Sequence, residues 1–298
     1  SVMFKTSTNK KKVALLIGIN YTDAEDEDNS SQLMGCINDI ENVQHTLVNQ
    51  FNYKPENITM LRDDTDDSKH RPTGMNIYRT LHRLVENSHF FGEIWLHYSG
   101  HGISIKDTNN DERDGMDEAI VPCDYKTGGI ITDDIFFSLL QHVRCPVFIV
   151  MDCCHSGTIC DLPFSFYPSN ADKNTFIRYY NQKQSIRNKN IFMLSGCQDK
   201  QTSADAYFND KSQYGGAFTN AFLDILHIHN YSIHILDLYI NILKYLKKFN
   251  FSQRTTLSSS HSKPLLQICP KKMKRGGEKK TLFGKKSKFS FQDVEWDA

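Results

Sequence analysis

Pro146-Val147-Phe148-Ile149-Val150-Met151 runs directly into Asp152-Cys153-Cys154-His155-Ser156-Gly157. The first half is apolar at every position, without the alternation of a half-exposed strand, so it reads as a strand covered on both faces. Similar short apolar runs occur at 13–19, 58–61, 94–98, 119–121, 191–194 and 265–268. Helical patterns lie between them at 36–50, 71–86, 132–142, 214–227 and 233–248. In the last of these, Ile235, Leu238, Tyr239, Ile242, Leu243 and Leu246 recur at helical spacing. Strands alternating with helices predict an α/β sandwich around a central, mostly parallel sheet.

The 298 residues suffice for one large domain or two small ones with a sizeable core. A hydrophobic fraction of 39% and an aromatic fraction of 11% fit a folded chain rather than a disordered one. The formal net charge of zero gives no bias toward nucleic acid or anionic membranes. No apolar run is long enough to span a bilayer. The basic start of the chain leads into 13–19, which ends at Asn20 without a small-residue cleavage site and reads as a core strand rather than a secretory signal. Without such a signal the eight cysteines read as reduced thiols, and the expected setting is cytoplasmic or nucleocytoplasmic. The expected organisation is an N-terminal extension over 1–11, a domain over 12–270 and a basic, flexible tail over 271–298. Two segments, 106–117 and 163–190, read as long loops, and loops of that length are usually functional or mobile.

In parallel sheets, sites gather at the carboxyl ends of strands. The run 94–98 leads into Ser99-Gly100-His101-Gly102, and 146–151 leads into the Cys153-Cys154 turn. A thiol needs a neighbouring imidazole to act as a thiolate at neutral pH, and adjacent strand ends can supply that contact across about 50 residues of sequence. Read alone, a cysteine in an apolar run is a core residue and a lone histidine a hydrogen-bonding one. Here both follow strands and both are flanked by glycine, which makes them candidates for nucleophile and base.

His97-Tyr98-Ser99-Gly100-His101-Gly102 and Asp152-Cys153-Cys154-His155-Ser156-Gly157 resemble the two catalytic motifs of metacaspases, caspase-like cysteine peptidases. The resemblance runs from about 12 to 268. It includes Gly18-Ile19-Asn20-Tyr21, Leu33-Met34-Gly35-Cys36-Ile37-Asn38-Asp39, Asp114-Gly115-Met116-Asp117-Glu118, and the stretch from Ser195-Gly196-Cys197-Gln198 to Asp205. It implies a caspase-like α/β/α sandwich with Cys154 as nucleophile and His101 as general base. It also implies a thioester intermediate, and backbone N–H groups of Gly102 and Cys154 as oxyanion donors. A third group orienting His101 is not visible in the sequence.

The resemblance further implies cleavage after Arg or Lys, with Asp39 and Asp152 as the pocket carboxylates and Ser99 and Cys36 as further lining. Read alone, Asp39 decorates a helix start and Asp152 ends a strand. The Asp- and Asn-rich segment 106–118 suggests calcium by its density of hard oxygen ligands. It also fits an ordinary solvated loop. It is not an EF-hand, because Glu112 stands where that loop needs glycine. By resemblance, the calcium ligands are Asp117, Asp133, Asp134 and Asp161. A zinc reading of His97, His101, Cys153, Cys154 and His155 competes, but the spacing of the two histidines suits a helix and the segment reads as strand. Basic residues between Lys173 and Lys189, and in the tail, are candidate sites of self-cleavage.

The leading expectation is therefore a monomeric, calcium-dependent endopeptidase acting on proteins or peptides with basic residues at the cleavage site. The alternatives are a non-proteolytic caspase-fold scaffold or protein-quality-control factor, and a caspase cutting after Asp.

Overall fold

The structure is a computed structural model that describes residues 10–23, 31–106, 116–154, 160–181, 184–198, 205–208, 213–251, 253–270 and 288–295. In chain order its elements begin with β1 (Lys11–Gly18), α1 (Cys36–Asn49), β2 (Ile58–Arg62), α2 (Gly74–Glu86), β3 (Phe91–Ser99), β4 (Gly102–Lys106) and β5 (Met116–Ile120). There follow α3 (Tyr125–Gly128), β6 (Ile131–Thr132), α4 (Asp133–Leu140), β7 (Val147–Asp152), β8 (Phe164–Pro168), β9 (Thr175–Tyr180) and β10 (Ile191–Gln198). The last are β11 (Asp205–Phe208), β12 (Gln213–Gly216), α5 (Ala217–Ile228), β13 (Ile233–His234), α6 (Ile235–Lys248), β14 (Gln253–Ser259), β15 (Gln267–Ile268) and β16 (Ser290–Glu295).

The main sheet has the order β16-β9-β8-β14-β10-β7-β3-β1-β2. Its β2-β1-β3-β7-β10 half is parallel throughout. The uniformly apolar runs have a direct cause there. Along β1, Val13, Leu15 and Ile17 face one core while Ala14 and Leu16 face the other. The first core is closed by Ile77 and Leu81 of α2 and by Phe136, Leu139 and Leu140 of α4. The second is closed by Ile40, Val43 and Leu47 of α1, Phe218 and Phe222 of α5, and Leu238 and Ile242 of α6. The result is the expected α/β/α sandwich.

Three features depart from the sequence reading. The stretch 163–190, expected as a loop, contains the β8–β9 hairpin, which adds to the sheet beyond β14. The tail expected over 271–298 is not loose at its far end. Ser290–Glu295 pairs in parallel with β9, and Phe289 and Phe291 pack against Phe176 at centroid distances of 5.5 and 6.3 Å. The run 265–268 does not join the main sheet; Gln267–Ile268 pairs with β13 instead. The N-terminal residues 1–9, the acidic loop 107–115 and tail residues 271–287 lie outside the described residues.

Candidate active site

Register aligns the strand ends. Arg62 of β2 pairs with Gly18 of β1, Gly18 with Ser99 of β3, Ser99 with Asp152 of β7, and Asp152 with Gly196 of β10. The segments that follow β3 and β7 therefore leave the sheet side by side. His101 is two residues past one strand end, and Cys154 is two residues past the other. Gly102 lies directly against the second segment. A Cβ at this position would collide with the Cys154 carbonyl oxygen and sit 3.3 Å from Cys153 Cβ, so only glycine allows this approach. The adjacent cysteines differ in environment. Cys153 belongs to the core that also holds Tyr21 and Tyr98, whereas Cys154 is 8% exposed and belongs to neither core cluster. His155 lies outside the described residues.

His101 is held at its backbone and its ring. Its N–H donates to Tyr21 Oη at 2.8 Å, and its carbonyl accepts from Tyr98 Oη at 2.6 Å. Its ring lies 4.5 Å from the Tyr21 ring, centroid to centroid. Its Nε2 is 2.7 Å from the carbonyl oxygen of Ser31, which fixes the proton on Nε2 and leaves Nδ1 as the basic nitrogen. Ser31 is a group sequence reasoning missed, because a backbone carbonyl leaves no signature in residue type. His97 is buried on the other face of β3, with Nε2 3.2 Å from Thr219 Oγ1.

The acidic pair comes together. Asp39 is fully buried in the first turn of α1, and Asp152 is 2% exposed. Ser99 Oγ donates to Asp39 Oδ2, Gly216 N–H donates to Asp39 Oδ1 at 2.9 Å, and Thr219 N–H, in the first turn of α5, donates to Asp152 Oδ2 at 2.8 Å. A Cβ on Gly216 would clash with Asp152 Oδ2 and lie 2.7 Å from Asp39 Oδ2, so the two carboxylates reach the same point from two sides. Cys36, one turn before Asp39, packs into the core containing Tyr21.

A second acidic group forms where α4 begins. Asp133, Asp134 and Asp161 each offer an oxygen within 4.8 Å of the others, and this is the single such metal-capable trio among the described residues. Asp133 also accepts from Glu118 N–H at 2.8 Å and from Asp134 N–H at 2.9 Å. Burial, opposed by those N–H bonds and reinforced by Asp117 and Asp134, pushes its carboxyl up to about 6. Asp117 is buried beside it but is not in the trio. Asp161 has a left-handed φ of 46°, an unusual conformation for a residue bearing a Cβ. Crowded, partly desolvated carboxylates of this kind fit a hard divalent cation.

The metacaspase, peptidase C14 domain family matches residues 11–163. A Metacaspase-1 from Mycosarcoma maydis is 32% identical over 86% of this chain and 72% of its own length. The chain belongs to the metacaspase family. A Metacaspase-1 from Cryptococcus neoformans is also 32% identical, over 87% of this chain, and the match spans 64% of that relative's length. Among solved structures, Caspase-1 from Spodoptera frugiperda matches with a TM-score of 0.56 at 11% identity, covering 92% of this chain and 96% of the other. A Geobacter sulfurreducens protein matches with a TM-score of 0.55 at 22% identity, covering 85% of this chain and 94% of the other. The likeness to Caspase-1 shows the caspase-type fold. Among the described residues of this metacaspase no helix is long and apolar enough to cross a membrane.

Proposed function

We propose that this metacaspase is a calcium-dependent cysteine endopeptidase that cleaves peptide bonds after Arg or Lys. One observation carries the reading: the buried carboxylates of Asp39 and Asp152 converge on Gly216, beside the strand ends that lead to His101 and Cys154. Two carboxylates buried together repel until a cation joins them, and a guanidinium or ammonium satisfies both. Ser99 completes the pocket floor through Asp39, and Cys36 supports it from the core side.

In this mechanism His101 takes the Cys154 thiol proton, and the thiolate adds to the substrate carbonyl carbon. Backbone N–H groups of Gly102 and Cys154 stabilise the oxyanion. The C–N bond breaks, His101 returns its proton to the leaving amine, and a thioester remains. His101 then takes a proton from water as the hydroxide adds, and the collapse of that adduct releases the acid and restores the thiol. The Ser31 carbonyl keeps the imidazole oriented through both halves. Asp133, Asp134 and Asp161, with Asp117 beside them, would hold calcium. When bound, that ion supplies the charge that lets these carboxylates sit together near the chain following Cys154. The reading includes a monomeric enzyme, which rests on the family resemblance.

The test is hydrolysis of fluorogenic Arg, Lys and Asp peptides with calcium and with excess chelator, for the wild type and Cys154→Ala. Arg and Lys cleavage that needs calcium and Cys154 is expected. Equal cleavage after Asp would remove the specificity, equal rates in chelator would remove the calcium dependence, and an active Cys154→Ala protein would remove the nucleophile.

A further inference from the structure

Asp63 is a buried carboxylate outside the pocket and outside the acidic trio, one residue beyond the aligned strand ends at the close of β2. It is 3% exposed, and its two oxygens accept successive backbone amides: Asn20 N–H at 2.9 Å and Tyr21 N–H at 2.6 Å. Tyr21 has a φ of 56°, in the left-handed region that a bulky side chain avoids. Consecutive N–H groups turned toward one point form an anion-binding concavity, and here the anion is a side chain of the same fold. The carboxylate thus offsets the backbone strain at Tyr21.

That conformation aims the Tyr21 side chain at His101. Its hydroxyl donates to the Val121 carbonyl at 2.7 Å and accepts the His101 N–H at 2.8 Å, while its ring lies against the imidazole. Tyr98 Oη, 3.1 Å from Tyr21 Oη, donates to the His101 carbonyl. Arg71 braces the same corner, donating to the Asp63 carbonyl at 3.0 Å and pairing with Asp23 at 2.6 Å.

We infer that Asp63 is a positioning residue for His101, acting through the backbone of Tyr21. This rests on the reading of His101 as the general base. Without the carboxylate, two adjacent amides, the buried one of Tyr21 and the half-buried one of Asn20, lose their acceptor, which favours relaxation of the Asn20–Tyr21 backbone. The Tyr21 hydroxyl then leaves the His101 backbone N–H, and its ring leaves the imidazole. A displacement of the base by about 1 Å is enough to cost on the order of 100-fold in rate.

Asp63→Asn, nearly isosteric, replaces one acceptor with an amide donor facing an N–H. Tyr21→Phe keeps the ring and removes the hydroxyl. Both are expected to lower kcat on an Arg peptide at least about tenfold with KM within about twofold. The double variant should be no worse than the poorer single one, because both changes release the same element. The pH profile of Cys154 alkylation by chloroacetamide, which needs no substrate pocket, should shift in both single variants. His101→Ala serves as the reference: if it keeps wild-type kcat and alkylation profile, the base reading itself fails. If His101→Ala is inactive while Asp63→Asn loses only thermal stability, with kcat per titrated thiol and the alkylation profile unchanged, the inference about Asp63 is overturned. If Asp63→Asn does not fold, Tyr21→Phe decides alone, and a wild-type kcat and alkylation profile in that variant overturn the inference.

Discussion

Ser99 Oγ lies 2.5 Å from Asp39 Oδ2, tying the last residue of β3 to the first turn of α1 on the floor of the proposed specificity pocket. The bond is short and charge-assisted, and both partners are buried. Asp39→Asn keeps the shape and removes the charge that a substrate Arg would meet. Losing one member of a buried charge pair costs about 3 kcal/mol, so kcat/KM on an Arg peptide should fall on the order of 100-fold. Ser99→Ala removes one hydrogen bond to a charged group, worth about 1.5–3 kcal/mol, and should cost about tenfold or more. Peptide kinetics measure both, and an unchanged Cys154 alkylation rate checks that the fold persists. Full activity in Asp39→Asn would exclude a role for this carboxylate in specificity.

Gly216→Ala tests the same pocket by shape. The added methyl meets Asp152 Oδ2 and Asp39 Oδ2 at the point where the substrate cation is proposed to sit. KM for Arg and Lys peptides should rise by at least about tenfold, equivalent to about 1.4 kcal/mol. The melting temperature should fall by only a few degrees. An unaltered KM would mean that the cation binds elsewhere.

The acidic trio predicts a stability effect that is separate from catalysis. A ligand at about 100 times its dissociation constant stabilises by about 2.7 kcal/mol, which for a chain of this size raises the melting temperature by about 4 °C. Calcium should produce that shift in inactive Cys154→Ala protein, and Asp161→Asn should remove it. Asp161 is the sharper probe because it belongs to the segment after Cys154, whereas Asp133 and Asp134 share the start of α4. Identical melting curves with calcium and with chelator would exclude binding at this site.

The sequence was most legible where burial is two-sided. Strands β1, β3, β7 and β10 carry apolar side chains into both cores, and their apolar runs announce them. The strand β14 occupies an interior place beside β10, yet its buried residues include Thr255, Thr256, Ser258 and Ser259, so its polar composition conceals it. The hairpin β8–β9 is interrupted by Pro168, and β16 follows a basic stretch, so both read as loop or tail. At the site, the glycine-flanked motifs after β3 and β7 could be read directly. The Ser31 carbonyl and the Asp63 carboxylate could not, because each acts on the backbone or ring of a residue distant in sequence. The one signal for Asp63 was an aspartate immediately after a strand end.

The C-terminal strand predicts a division between polar and apolar contributions. Arg178 reaches Asp293 through two bonds of 2.6 and 2.8 Å, but Asp293 is largely exposed, and exposed ion pairs contribute at most about 1 kcal/mol. Asp293→Ala should therefore barely alter urea unfolding. Phe176, fully buried beneath Phe289 and Phe291, should cost about 3–5 kcal/mol when replaced by alanine. A larger loss in Asp293→Ala than in Phe176→Ala would show that β16 is held by charge instead.

His97 predicts part of the acid sensitivity. It is fully buried; its Nε2 meets Thr219 Oγ1, while Nδ1 has no hydrogen-bond partner among the described residues. Burial pushes this imidazole down to about 3, against about 6.5 in an unfolded chain. Above about 6.5 neither state holds the extra proton and His97 adds no pH dependence. As pH falls below that value, the unfolded chain binds a proton that the folded one refuses, and stability drops by about 1.4 kcal/mol per pH unit until the folded imidazole itself titrates. His97→Gln removes this proton and leaves the titrating carboxylates in place. Urea unfolding of both proteins from pH 7 to pH 4.5 should show a stability difference that moves in favour of the variant by roughly 2–3 kcal/mol across that range. Parallel stability curves would mean that the folded protein accommodates the charged ring despite its burial.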